Sequence, residues 1–285
     1  MKSEVVKKLK KEILDMQGIQ PMVNGRAVDV GLGPVTEAFP YGVFPVGIHE
    51  FVSTSPECAA ATSGFIAGLL GKVTRPDDTC IWISAGRTLF PPALVFFGIS
   101  PDRIIFVDSR KPWDLSWMIE QALKCDALGT VVGEVTALDL AQSRRLQLAV
   151  EQSRVNCFLH RYRPGGVSAI ASVCRWKIQP VPSTLQEGLP GVGFPIWEVT
   201  LEKVRNGQPG SWQIQWVEDR FRIVEALWSP WSVRTQTTDR DSSHYKVACE
   251  DIDHGQRHRP RSDHEKIRIH MVPAPDDRPA HQAVS

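Results

Sequence analysis

Between Gly47 and Arg163, strand-like runs alternate with helical ones, and this alternation limits the possible folds more than any other feature of the chain. "GIHEFV" reads as a strand, and residues 57–71 read as a helix that ends at Gly71. "TCIWIS" is strand-like, and "FPPALVFFGI" reads as a short helix stopped by Gly98. "RIIFVD" is a strand. Residues 113–124 place Trp113, Trp117, Ile119 and Leu123 near helical spacing. "GTVVGEV" (strand), residues 138–151 (helix) and "VNCFLH" (strand) complete the series. Such a series predicts a parallel sheet with helices on both faces.

After residue 163 the pattern changes. "CRWKIQP", "IWEVTLEKV", "GSWQIQWVE" and "RFRIVEAL" alternate apolar and polar residues, as antiparallel strands do. "RNGQPG" between two of them marks a hairpin turn. The expected architecture is an α/β core, residues 47–234, with an antiparallel extension at one sheet edge. From about Thr235 the chain is charged, polar and Pro-containing, and too poor in apolar residues to offset the entropy of ordering. Residues 235–285 are therefore expected to be a disordered tail whose removal leaves stability nearly unchanged.

The N-terminal part, residues 1–46, reads as a helix followed by a linker. Val5, Leu9, Ile13 and Met16 mark one face of an amphipathic helix, suited to packing on its own domain or on a partner. Residues 18–46 are rich in Gly and Pro and read as a linker with short extended pieces. Lysines and acids interrupt the apolar residues of the start, which excludes a signal peptide, and no run approaches the ~18 apolar residues of a membrane span.

A net charge of +1 gives no global field for nucleic acid, so a local cluster must carry any such contact. Cys58, Cys80, Cys125, Cys157, Cys174 and Cys249 are scattered singly, most of them in apolar runs. They read as reduced thiols of a cytoplasmic protein. Six of the eight histidines fall in the tail, where His254 and His258 have the spacing of a metal pair. They lack the rigid framework and the cysteine or carboxylate partners of a metal site, so no metal is expected. No other cofactor is expected either.

"SPECAAATS" follows the first strand and opens the first helix, where an α/β protein places a phosphate-binding loop. The stretch contains neither glycine nor lysine. Its plain reading is an alanine-rich helix start packed against a strand.

The order of elements, the "LEKVRNGQPGSWQIQW" hairpin and this corner resemble the RecA-like fold. "RTLFPPAL", "FGISPDRIIFVD", "SRRLQLAVEQSR" and "GLPGVGFPIWEVTLEKVRNGQPGSWQIQW" resemble the ImuA family more closely, over about residues 47–226. A RecA-type loop, G-P-E-S-S-G-K-T, falls on Ser55, Pro56, Glu57, Cys58, Ala59, Ala60, Ala61 and Thr62. Ser55 and Ala60 replace its glycines, and Ala61 replaces the lysine that neutralises phosphates. Where the resemblance places the carboxylate that activates water, the chain has Gly86 and Arg87. Where it places a magnesium-binding aspartate, the chain has Gly133 and then Glu134, which could still reach a metal.

The ImuA resemblance implies a non-enzymatic accessory protein of damage-induced mutagenesis. It implies binding to an ImuB-type polymerase-like protein, to an error-prone DnaE-type polymerase, and to RecA. Two other readings remain beside it: an ATP-dependent recombinase-like enzyme, which the altered loop opposes, and a SulA-like inhibitor of cell division. The fold resemblance also places Arg161, Tyr162 and Arg163 where a RecA-like protein contacts DNA. Two cations around a ring, beside Gly165 and Gly166, suit single-stranded DNA, and Arg144, Arg145 and Arg154 could extend the basic surface. Trp228 and Trp231, where the fold meets the tail, are candidates for partner binding.

Overall fold

Among the described residues ten strands form one mixed sheet. The computed structural model describes residues 30–75, 77–86, 88–109, 111–165, 170–183, 193–228 and 268–271. The strands are β1 (Ile48–Ser53), β2 (Thr79–Ser84), β3 (Ile104–Asp108), β4 (Leu128–Val135), β5 (Asn156–Tyr162), β6 (Cys174–Val181), β7 (Ile196–Val204), β8 (Gly210–Val217), β9 (Arg220–Trp228) and β10 (Arg268–Met271). The helices are α1 (Pro56–Val73), α2 (Pro112–Leu123) and α3 (Leu140–Ser153). Strands β3, β2, β4, β5, β1 and β6 run parallel. Strands β7, β8 and β9 continue from β6 as antiparallel neighbours.

The α/β core and its antiparallel extension are thus those expected from the sequence. All six residues of β1 are buried, three of them apolar (Ile48, Phe51 and Val52) and three polar (His49, Glu50 and Ser53) with partners inside the fold. The extension has one dry face and one wet face. In β8, Trp212, Ile214 and Trp216 are buried while Ser211, Gln213, Gln215 and Val217 are half-buried. Asn206, at φ 59°, makes the β7–β8 turn possible.

Two clusters form the core. One face of the sheet packs against α2 and α3 through Ile119, Leu123, Leu146 and Val150. The other packs against α1 through Phe65, Ile66, Leu69 and Leu70, joined by the tryptophans of the extension. Helix α1 presents Gly64, Gly68 and Gly71 along this contact. A Cβ at Gly68 would meet the Phe221 ring at 2.8 Å, and one at Gly71 would overlap the carbonyl of Phe97. The glycines let β9 and the 3-10 turn Pro91–Phe97 approach the helix closely. Gly98, at φ 72°, ends that turn.

Two sequence expectations change. The supposed linker is part of the core from residue 30 onward: Val30, Leu32, Val35, Phe39 and Phe44 are all buried in the α1-side cluster. The Gly/Pro content sets its turns, at Gly33–Ala38 and Pro40–Gly42, while its spaced apolar side chains pack inward. Within the supposed tail, Arg268–Met271 pairs antiparallel with β3 and covers that edge of the sheet. The N-terminal helix, His254 and His258 lie outside the described residues. Among the described residues no helix is long and apolar enough to cross a membrane.

Candidate functional site

The loops that follow β1, β2, β4 and β5 meet at the carboxyl ends of the parallel strands. There they surround a cleft of about 750 Å3. This is where open α/β sheets place their ligands. Pro56, Ala59, Ala60, Ser63 and Gly64 of α1 form one wall. Ala85, Gly86, Thr88, Leu89, Phe90 and Phe97 form another, and Trp197 of β7 closes the side.

The corner at Ser55 is capped by its own side chains. Ser55 is extended, and its hydroxyl accepts from the Cys58 amide at 3.2 Å. Pro56, at the first helical position, has no N–H to offer. Glu57 lies in the first turn, its carboxyl held below the usual range chiefly by hydrogen bonding to Ser55. A serine, a proline and a carboxylate therefore occupy the helix end that a phosphate would use.

Thr62 is not part of the cleft lining. It is buried and shares a 2.8 Å hydrogen bond with Ser53, which is also 2.9 Å from Nε2 of His160. Burial lowers the pKa of His160 to about 4, so the ring is neutral at pH 7. This polar chain ties β1, α1 and β5 together beneath the corner. Ala61 is buried in the core, whereas Ala60 lines the cleft.

Glu134 is the carboxylate of the cleft. Trp82 Nε1 donates to its Oε1 at 2.8 Å. Burial raises its pKa to about 6, the Trp82 bond opposes this, and Asp108 adds to it. Gly133 belongs to the opposite face, where Ile119 packs so closely that a Cβ would overlap it. Of the two residues that the RecA resemblance sets at a metal-binding position, Glu134 lines the cleft and Gly133 does not. Among the described residues no group of His, Cys, Asp and Glu has the arrangement of a metal site. Gly86 lines the cleft; Arg87 lies outside the described residues.

The proposed DNA cluster divides. Arg161 is 2% exposed, and its Nη1 bonds Glu50 Oε1 at 2.7 Å. Arg175 Nε holds the other carboxylate oxygen at 2.7 Å. Arg161 is therefore a structural residue and does not present its charge to a phosphate. Alternation along β5 decides this, since neighbouring residues face opposite sides of the sheet. Tyr162 lines the cleft and Arg163 is exposed, with its guanidinium 5.3 Å from the Tyr162 ring centre. Arg144, Arg145 and Arg154 belong to α3 and its cap, over the other face, and Arg145 pairs with Glu120. Trp228 ends β9 and Trp231 lies outside the described residues. The sequence reading missed Glu50, Ser53 and His160. A charge and a histidine inside apolar strands were the available signal.

The parallel core flanked by helices, its antiparallel extension and a capped corner above a strand-end cleft define an α/β protein with a mixed sheet. No family model matches the sequence. The chain belongs to the ImuA family. It is 35% identical over 207 residues to Protein ImuA of Caulobacter vibrioides, in strain NA1000 / CB15N and in strain ATCC 19089 / CIP 103742 / CB 15. That match covers 66% of this chain and 85% of each relative. The structure of SulA from Pseudomonas aeruginosa matches 39% of this chain and 97% of its own at 17% identity. The TM-score of that match is 0.34.

Proposed function

We propose that this chain is a non-catalytic, cytoplasmic accessory protein of damage-induced mutagenesis and translesion synthesis. It acts as an adaptor that holds an ImuB-type polymerase-like protein and, through it, an error-prone DnaE-type polymerase, with RecA as a further partner. Membership of the ImuA family supports the setting. The chemistry of the corner is the observation that carries the non-catalytic part. Ser55, Pro56 and Glu57 occupy the helix start, Ala61 stands in place of the loop lysine, and Thr62 is engaged by Ser53. A triphosphate would meet two carboxylates, Glu57 and Glu134, without the loop cation. The chain keeps the scaffold of an ATPase and uses its surfaces for protein contacts.

Calorimetric titration with ATP and magnesium is expected to give no heat of binding, and a micromolar dissociation constant would refute a pseudo-ATPase. Capture from damaged cells with the tagged full chain is expected to bring down the ImuB-type protein. Recovery of the division protein FtsZ in its place would show a SulA-like inhibitor instead.

A further inference from the structure

The cleft has lost the features of a phosphate site, yet it has not closed. Ala60, Leu89, Phe97 and Trp197 make its lining largely apolar. The apolar surface continues past the mouth. Phe90, on the lip, is 67% exposed, and Val95 and Phe96 of the same segment are 60% and 48% exposed. Phe96 meets Phe97 edge-on at 5.3 Å, so lip and lining are continuous. Exposed aromatics beside a preformed cleft mark a protein contact, because they extend farther than a small ligand would cover.

The charge in the cleft selects among such partners. His160 is neutral, and Glu134 is the formally charged side chain among the described lining residues. Arg163 lies at the rim, stacked on Tyr162 and acting on Glu57. Trp82 occupies one oxygen of Glu134, leaving the other for a second donor. A partner that covers the cleft takes this carboxylate further from water, which is costly unless a cation accompanies it. The geometry points to the cleft as a docking site for a partner's polypeptide segment that carries an apolar side chain next to a lysine or arginine. This deepens the adaptor reading and rests on it for the identity of the partner.

The test is a selection of random dodecapeptides displayed on phage against the full-length chain. Enriched peptides are expected to place an aromatic or aliphatic residue within two positions of Lys or Arg. They are expected to bind Ala60→Trp, which fills the cleft, at least tenfold more weakly. Glu134→Gln is expected to keep the apolar preference and lose the basic one. Equal binding to Ala60→Trp, enrichment of acidic peptides, or a basic preference that survives Glu134→Gln would overturn the proposal. If Ala60→Trp lowers the melting temperature by more than 5 °C, Phe90→Ser on the exposed lip replaces it, with the same tenfold expectation. If a synthetic peptide of residues 1–17 outcompetes every selected peptide, the occupant is this chain's own N-terminus and the partner proposal fails. Purified ImuB-type protein separates the two levels. Peptides selected as expected, with no capture of that protein, refute the adaptor reading alone. Capture that Ala60→Trp leaves intact, with no peptide enrichment, refutes the cleft alone.

Discussion

Arg161 and Glu50 form a buried ion pair at 2.7 Å that joins β5 to β1 at the centre of the sheet. Arg175 from β6 completes it, so three adjacent parallel strands share one carboxylate. Removing Glu50 deprives the buried Arg161 charge of this carboxylate, at a cost of about 3–5 kcal/mol, and removing Arg161 costs part of that because Arg175 still holds Glu50. Arg161→Ala is accordingly expected to lower the urea midpoint, while Arg163→Ala leaves it nearly unchanged. Chemical denaturation of both variants checks this, and equal midpoints would refute the structural role of Arg161.

With Arg161 sealed, the proposed single-stranded DNA contact rests on Tyr162 and Arg163. Arg163→Ala is expected to weaken binding and to reduce the salt slope by about 0.7, the release expected for one phosphate contact on a single strand. Tyr162→Ala is expected to weaken binding by about 1–3 kcal/mol per stacked base with little change in slope. Fluorescence anisotropy across a salt series separates the two. If the wild type shows no binding at low salt, the loop has no DNA role.

His49 and His160 are both buried and neutral, with pKa values lowered to about 4. Between pH 6.5 and 4 the unfolded chain takes up the protons that the fold refuses, so stability falls as pH falls. Each ring contributes on the order of 3 kcal/mol to this loss. Glu134 acts in the opposite sense. Its pKa is raised to about 6 in the fold, so between 4.5 and 6 the folded state holds the extra proton and gains stability as pH falls. The net expectation is a loss of stability below pH 6.5, steeper in Glu134→Gln than in the wild type. Urea melts from pH 7 to 4.5 measure it; a parallel pair of curves would show that Glu134 titrates normally.

Truncation after residue 234 removes β10 and uncovers the edge of β3. A four-residue edge strand is expected to contribute about 1 kcal/mol, which in a domain of this size shifts the melting temperature by about 2–4 °C. Calorimetric scans of the full and truncated chains test it. An unchanged midpoint would mean that the pairing adds nothing to stability.

The sequence alone determined the periodic part of the molecule. The period of the apolar residues distinguishes strand from helix, and short connections between alternating elements compel a parallel sheet with covered faces. The absence of glycine and lysine from the corner at residues 55–62 was equally readable, because it depends on residue identity and position. Tertiary structure decided what depends on facing and on distant neighbours. Arg161 and Arg163 stand two residues apart in one short basic string, yet one is sealed against Glu50 and the other lies in solvent. The string cannot show this, because Glu50 is 111 residues away in sequence. The packing of residues 30–46 against the sheet and the pairing of Arg268–Met271 with β3 are likewise contacts between remote segments. Local composition marked the first as linker and the second as disordered tail, since it records the turns and polarity of a segment and not the apolar surface or unpaired strand edge waiting elsewhere in the fold.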